Sequence, residues 1–390
     1  MPDVVHPLAM SWVLRLLPAT IEQGKSADVA KRVVGLTLPL RMALSAQAGG
    51  AEKIVLAQGT ESCRALLDDA RLRAAVIGDS ELAAQAAPAL IVEAPCNLVL
   101  HRDLLKDLAQ SGARGTRNLV AEPFPFQRPF SFDPILVTDR RSASRAARAL
   151  LHSLRKPQDG WTSTHLNRHI SLFLTRWLSY LPLHPNHVSV GILAVGVLGA
   201  YLASRGTYGP MLLGALLFQA QSVLDGCDGE LSRVTYRGSH LGEWLDTVGD
   251  DLTNYGFFAG AAWGLHAATG SKLYLVAGVV TLACGVATSA IEYRYLAKIG
   301  SGDLLKYPLG IGKAPSSSDA PKGKVARLVD GISPLFKRDT FVLLTLLGAA
   351  VGLLGPFLVI FAAGGIGILV AVVQAELRMA RERGAQAAKG

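Results

Sequence analysis

Apolar and polar positions follow two different rhythms along the chain. Up to about residue 155, apolar runs of strand length alternate with polar stretches of helical spacing. Lys53–Ala57 reads as a buried strand, followed by a helix carrying Glu61, Arg64, Asp68, Asp69 and Arg71. Ala74–Ile77, Ala89–Val92, Asn97–Leu100 and Ile135–Val137 repeat the strand signal, with helices over Arg102–Gln110 and Ser142–Leu154. This alternation predicts a soluble α/β domain on a parallel sheet over residues 1–155. Pro123, Pro125, Pro129 and Pro134 mark a long connecting loop. The run Lys156-Pro157-Gln158-Asp159-Gly160 breaks the pattern. Trp161–Leu181 then places Leu166, Ile170, Phe173, Leu174, Trp177 and Leu178 at helical spacing. Residues 156–185 therefore read as a juxtamembrane segment whose amphipathic helix lies in the membrane interface.

From Val188 the rhythm changes to long apolar segments of membrane-spanning length. Six are predicted: Val188–Ser204, Met211–Arg233, Leu241–Ala267, Leu273–Leu296, Thr340–Leu354 and Pro356–Leu377, forming an α-helical integral membrane domain over residues 186–380. Only Gly355-Pro356 separates the last two. Composition supports this division: of 390 residues, 50% are hydrophobic and only 18% charged, which excludes a disordered chain. Basic residues set the orientation. Lys298, Lys306, Lys313, Lys322, Lys324, Arg327, Lys337 and Arg338 lie between spans four and five, and Arg378, Arg381, Arg383 and Lys389 in the tail. The opposite side offers Arg205 and Lys272. Both termini are expected in the cytoplasm. Anionic lipid accounts for the net charge of +9 without a nucleic-acid partner. No cleavable signal is expected at Met1–Asp28. Cys63, Cys96, Cys227 and Cys284 are too scattered for a disulfide framework or zinc site.

Spans two and three carry acids that a passive membrane helix would exclude. Asp225 and Asp228 are three apart on one helix, and Asp246 and Asp250 four apart on the next. A short turn around Gly238 makes the helices antiparallel, so the two faces are expected to meet as a four-carboxylate cluster. Each aspartate at mid-membrane costs about 2.5–3.5 kcal/mol on insertion scales. Such carboxylates cannot all stay ionised unless cations or protons bind. Oxygen ligands suit Mg²⁺ or Mn²⁺, and two such ions suit phosphoryl transfer. The alternative reading of intramembrane acids is an ion transporter. Asp251 points about 100° away from Asp250 and reads as a hydrogen-bonded helper or as facing a polar cavity. Cys227 reads as a packing residue.

The run Asp225-Gly226-Cys227-Asp228-Gly229-Glu230-Leu231-Ser232-Arg233, continuing to Gly242, Asp246 and Asp250, resembles the CDP-alcohol phosphotransferase signature D-x2-D-G-x2-A-R-x8-G-x3-D-x3-D. Ser232 replaces the usual Ala. His184-Pro185-Asn186-His187-Val188-Ser189 is similar to the stretch opening that family's first span. The resemblance implies that Asp225, Asp228, Asp246 and Asp250 hold two Mg²⁺ or Mn²⁺ ions, and that Asp250 is the general base. It implies that Gly229, Arg233 and Gly242 hold the CDP moiety. The implied reaction moves a substituted phosphate from a CDP-alcohol donor, of the CDP-diacylglycerol type, to an alcohol or polyol-phosphate acceptor, releasing CMP. A soluble donor such as CDP-inositol is the alternative. Membrane lipids and a homodimer are further implications.

The stretches Val34–Arg41 and Gly49–Leu56 resemble sugar-phosphate nucleotidyltransferases, which are fused to the phosphotransferase domain in the dialkyl-inositol-phosphate synthases. The G-x-G-x-R loop of those enzymes is absent from residues 1–48, and Val92–Asn97 lacks their metal-holding Asp. A nucleotidyltransferase-like domain without cytidylyltransferase activity is expected. Gly310-Ile311-Gly312-Lys313 is not a P-loop, and Pro315–Gly323 reads as a mobile linker. Lys337 and Arg338 are expected either to bind an acceptor phosphate or to anchor span five at the interface.

Overall fold

The computed structural model describes residues 11–20, 28–122, 124–157, 159–308 and 337–387. The Gly310–Lys313 run, the linker 315–323, the first ten residues and Pro123 lie outside the described residues. Two compact units emerge: Met1–Pro157 with Leu174–Pro182 and Glu230–Arg237, and Gln158–Phe173 with Leu183–Gly229 and Gly238–Gly390.

The first unit is built on a five-stranded parallel sheet. Its strands are β1 (Trp12–Leu17), β4 (Lys53–Leu56), β5 (Ala75–Gly78), β6 (Leu90–Pro95) and β8 (Gly115–Asn118), in the order β5-β4-β1-β6-β8. Alternation along β1 explains why it is central. Trp12, Leu14 and Leu16 enter the main core, while Val13 packs with Val55 and Ile77 on the other face. The remaining strands are short antiparallel pairs: β2 (Arg32–Val33) with β3 (Leu36–Thr37), and β7 (Leu98–Val99) with β9 (Ile135–Leu136). The helices are α1 (Leu38–Ala48), α2 (Asp79–Ala83), α3 (Leu104–Gln110) and α4 (Arg140–His152).

Sequence reasoning is corrected here at three points. Strand β1 went unrecognised because Arg15 interrupts its apolar run. In the fold that guanidinium donates to Asp79 and Glu93, 2.8 and 2.7 Å away. Asn97–Leu100 and Ile135–Val137 do not join the parallel sheet but pair with each other. The helix expected after Lys53–Ala57 is a 3-10 segment, Glu61–Leu67.

The second unit is helical. A π-helical turn, Ser163–Asn167, leads into α5 (Arg168–Leu178), which continues across the boundary into the first unit's share of the chain. Among the described residues six helices follow: α6 (Pro185–Ala203), α7 (Tyr208–Thr235), α8 (His240–Thr269), α9 (Lys272–Ile299), α10 (Arg338–Ala350) and α11 (Leu354–Ala387). Among the described residues, three stretches are long and apolar enough to cross a membrane: Pro185–Ala203, Lys272–Ile299 and Leu354–Glu382, with mean hydropathies of 1.6, 1.9 and 2.6. Helices α7 and α8 have 28 and 30 residues but carry the acids. Helix α10 has 13 residues, about 20 Å at 1.5 Å per residue and short of a full crossing.

The break between the last two helices falls at 351–353, around Gly352 at φ +74°, rather than at Gly355-Pro356. Pro356 sits in the first turn of α11, where a missing N–H leaves no helical bond unmade. Close packing aligns the site-bearing helices. A Cβ on Gly260 of α8 would overlap the Ala200 carbonyl oxygen of α6, so the two backbones touch. Phe218 of α7 stacks on Phe257 of α8, with ring centroids 4.4 Å apart.

Candidate active site

The antiparallel pair α7 and α8 brings three of the four expected carboxylates together. One oxygen from each of Asp225, Asp246 and Asp250 lies within 4.8 Å of the others. Asp225 and Asp250 are partly buried and Asp246 is exposed. Asp228 is buried and engaged differently. Its carboxylate accepts from the Ser189 hydroxyl and from the Gly229 N–H, the latter at 2.6 Å.

The guanidinium of Arg338, at the first position of α10, reaches into this cluster. Its Nη1 donates to Asp225 at 2.9 Å and Asp250 at 2.8 Å. Its Nη2 donates to Gln221 at 2.9 Å, and its Nε to Asn254 at 3.4 Å. Arg338, expected to bind an acceptor phosphate or to anchor span five, here lies against the acids. Gln221 and Asn254 are site residues that sequence reasoning missed. The signal was present, because Gln221 lies four residues before Asp225 and Asn254 four after Asp250, on the same helix faces.

Arg338 thus brings one positive charge to the pair Asp225 and Asp250. Asp250 Oδ1 is buried with no hydrogen-bond partner among the described residues. A buried carboxylate oxygen of that kind calls for a cation or a proton. The donor set is all oxygen, as Mg²⁺ and Mn²⁺ prefer. The residues present therefore fit a divalent ion at Asp225, Asp246 and Asp250.

The flanking residues hold this geometry. Ser189 and Asn186 project from the first two turns of α6, whose N-cap is His184. Ser239 caps α8 by accepting from the Gly242 N–H at 3.0 Å. A Cβ on Gly242 would lie 3.1 Å from both Asn186 Oδ1 and Ser239 Oγ, so glycine permits this close approach. Asp251 faces away from the cluster, toward α9. There Ser289 and Tyr293 both donate to its Oδ2, Tyr293 at 2.6 Å. Of the two readings for Asp251, the hydrogen-bonded helper is the one observed. Cys227 is fully buried, as a packing residue should be. Arg233 lies in the last turn of α7, within the stretch that clusters with the first unit.

Beside the cluster opens a cavity of about 230 Å³, lined by Asp225, Gly226, Arg168, Lys337 and Arg338 among others. Asp159 holds Arg168 through two bonds of 2.8 Å, and both side chains are nearly buried. Asp339 accepts from the Ser163 N–H at 2.6 Å, and Gly160 leaves room for its carboxylate. The arrangement sets cations beside a carboxylate cluster, which suits an anionic phosphate next to bound metal.

Comparison with known proteins finds similarity over the helices that carry this site. Residues 183–373 match the family model of the CDP-alcohol phosphatidyltransferases. A bifunctional IPC transferase and DIPP synthase from Rubrobacter xylanophilus is 37% identical over 142 residues, 36% of this chain and 31% of that protein. Its namesake in Aquifex aeolicus is 37% identical over 106 residues, 27% of this chain and 23% of that protein. The one in Archaeoglobus fulgidus is 33% identical over 124 residues, covering 32% and 24%. The matches thus span only about a quarter to a third of these relatives' length. The crystal structure of Mycobacterium tuberculosis phosphatidylinositol phosphate synthase with CDP-DAG bound aligns with a TM-score of 0.40 and 18% identity, over 53% of this chain and 93% of that one. The aspartates of α7 and α8 fall inside the matched stretch, so the site lies within a domain, residues 183–373, that matches the CDP-alcohol phosphatidyltransferases.

Proposed function

We propose that the protein is an integral membrane, metal-dependent CDP-alcohol phosphotransferase. The observation that carries this reading is the convergence of Asp225, Asp246 and Asp250 around one point, with Asp250 Oδ1 unpartnered among the described residues. Asp225, Asp246 and Asp250 hold the divalent ions, with Asp228 completing the set from its place beside Ser189. When bound, two such ions neutralise charge on the transferring phosphate and on departing CMP. Asp250 Oδ1 takes the proton of the acceptor hydroxyl. The acceptor oxygen then bonds to the donor's phosphorus, the phosphorus–oxygen bond to CMP breaks, and CMP leaves. Gly229, Gly242 and Arg233 hold the CDP moiety, and Lys337 and Arg168 orient phosphate oxygens in the adjoining cavity.

The favoured donor is a CDP-diacylglycerol-type lipid and the acceptor a polyol phosphate. The relatives' DIPP synthase name supports a second reading with a soluble donor, CDP-inositol. A six-span domain with both termini in the cytoplasm and a homodimeric assembly belong to the same proposal, supported by three helices long and apolar enough to cross among the described residues and by the basic residues between α9 and α10. The parallel sheet of the first unit supports a nucleotidyltransferase-like domain, and the missing G-x-G-x-R run in residues 1–48 supports its lack of cytidylyltransferase activity. Purified full chain in detergent is assayed for CMP release with Mg²⁺, polyol phosphates, and CDP-diacylglycerol or CDP-inositol. Metal-dependent CMP release with CDP-diacylglycerol supports the first reading. Release with CDP-inositol alone supports the second. No CMP with either donor, together with cation flux in vesicles, would overturn both in favour of an ion transporter.

A further inference from the structure

The first unit carries a second, partly open cavity of about 480 Å³, whose lining shares no residue with the cavity beside the carboxylates. Arg32, Arg71 and Arg237 line it, from three separate parts of the chain. The fold builds this convergence with care. The turn between β2 and β3 uses two left-handed residues, Val34 at φ +47° and Gly35 at φ +80°. A Cβ on Gly35 would overlap the Ser179 carbonyl oxygen, and the Val34 N–H donates to Tyr180 Oη at 3.2 Å. The hairpin carrying Arg32 is thereby seated on the segment after α5.

The opposite wall ends α7. Tyr236 adopts φ +55° and the Arg237 N–H returns to the Ser232 carbonyl at 3.0 Å. This is a Schellman end with tyrosine where glycine is usual. A left-handed tyrosine costs about 1–2 kcal/mol, and such strain clusters at ligand clamps. The Thr235 carbonyl, just before it, accepts from Arg71 Nη1 at 3.0 Å. Asp69 grips the other side of Arg71 with two bonds of 2.6 Å. Arg71 is thus held as a fixed, planar fork.

Asp68 and Asp69 line the same cavity, so its three guanidiniums outnumber its carboxylates by one. Burial and the nearby Arg71 both lower the Arg237 pKa. Arg41, fully buried on carbonyls of Val33, Val34 and Val234, is lowered to about 10, chiefly by burial, with Arg71 adding repulsion. Thr37 Oγ1, in a residue that lines the cavity, is buried without a hydrogen-bond partner among the described residues. Thr37 is also the N-cap of the 11-residue α1, so the positive end of that helix lies at this wall.

We propose that this cavity binds the phosphate group of a small phosphorylated molecule, with Arg32, Arg71 and Arg237 as its cationic clamp and Thr37 as a hydroxyl donor. Convergent guanidiniums match a phosphate dianion better than a single carboxylate. The volume is that of an ordinary small-molecule site. The inference does not depend on the phosphotransferase reading.

The test is isothermal titration of inorganic phosphate into the full chain in detergent, without divalent metal. Saturable binding is expected, weakened at least ~10-fold in Arg237→Gln and in Arg32→Gln, and retained in Arg338→Gln. Exposed Arg32 supplies the readout should Arg237→Gln fail to fold. Wild-type binding in both cavity variants, or loss confined to Arg338→Gln, overturns the proposal. So does the absence of saturable binding to the wild-type chain.

Discussion

Arg338 Nη1 lies 2.8 Å from Asp250 Oδ2 and 2.9 Å from Asp225 Oδ2, so one guanidinium nitrogen bridges two carboxylates proposed as metal ligands. It offsets part of their negative charge in the absence of metal and competes with an incoming cation for the same oxygens. Arg338→Gln should therefore tighten Mn²⁺ binding to the nucleotide-free protein, on the order of 10-fold or ~1.4 kcal/mol. Electron paramagnetic resonance titration of free Mn²⁺ measures this. Weaker binding in Arg338→Gln would show that the arginine supports the metal site instead of competing with it.

Asp251 should matter for stability through α9 rather than through metal. Ser289 and Tyr293 both donate to its Oδ2, and Tyr255 Oη lies 2.8 Å from Ser289 Oγ. Asp251→Ala leaves these donors without their acceptor, at a cost of about 1–3 kcal/mol. The thermal midpoint in detergent should fall, and Asp251→Asn should recover part of the loss. An unchanged midpoint in Asp251→Ala would show that this network contributes nothing.

Gly242→Ala places a methyl 3.1 Å from Asn186 Oδ1 and Ser239 Oγ, closer than carbon and oxygen sit at ease. The cap of α8 and the start of α6 must then shift by a few tenths of an ångström. The expected result is a several-fold rise in KM for the CDP-alcohol with the helical circular dichroism signal unchanged. Kinetics identical to wild type would separate Gly242 from donor binding.

The pair Asp69 and Arg71 gives the first unit an acid-sensitive element. Hydrogen bonds from Arg71 hold the Asp69 carboxyl at about 2, below its ordinary value near 4. A depressed carboxylate stabilises the fold above its unfolded pKa, and that stability disappears as pH falls through the folded value. The contribution is therefore full above about pH 4 and lost toward pH 2. After solvent screening it amounts to ~1 kcal/mol. Denaturant midpoints compared between wild type and Asp69→Asn should differ at pH 6 and converge near pH 2. A constant difference across that range would contradict the assignment.

Much of the site was legible because helical periodicity carries it. Asp225, Asp246 and Asp250 were expected on facing helix faces, and their oxygens converge. Asp228 shares the face in projection, but the Ser189 hydroxyl on α6 draws its carboxylate away. That contact joins residues 39 positions apart, beyond any local pattern. Arg338 was out of reach for the same reason, since it meets Asp225 across 113 positions. In the first unit, apolar runs revealed β4, β5 and β6. The central β1 was hidden because Arg15 reads as a break until Asp79 and Glu93 are seen to hold it.

The central claim is that these aspartates hold catalytic divalent ions. Its most direct test counts Mn²⁺ bound to the purified full chain by electron paramagnetic resonance, alongside metal-dependent CMP release. Saturable Mn²⁺ binding is expected in wild type, with both binding and CMP release lost in Asp225→Ala and Asp246→Ala. Wild-type Mn²⁺ binding in these two variants, or CMP release that survives full chelation of divalent metal, would contradict the account.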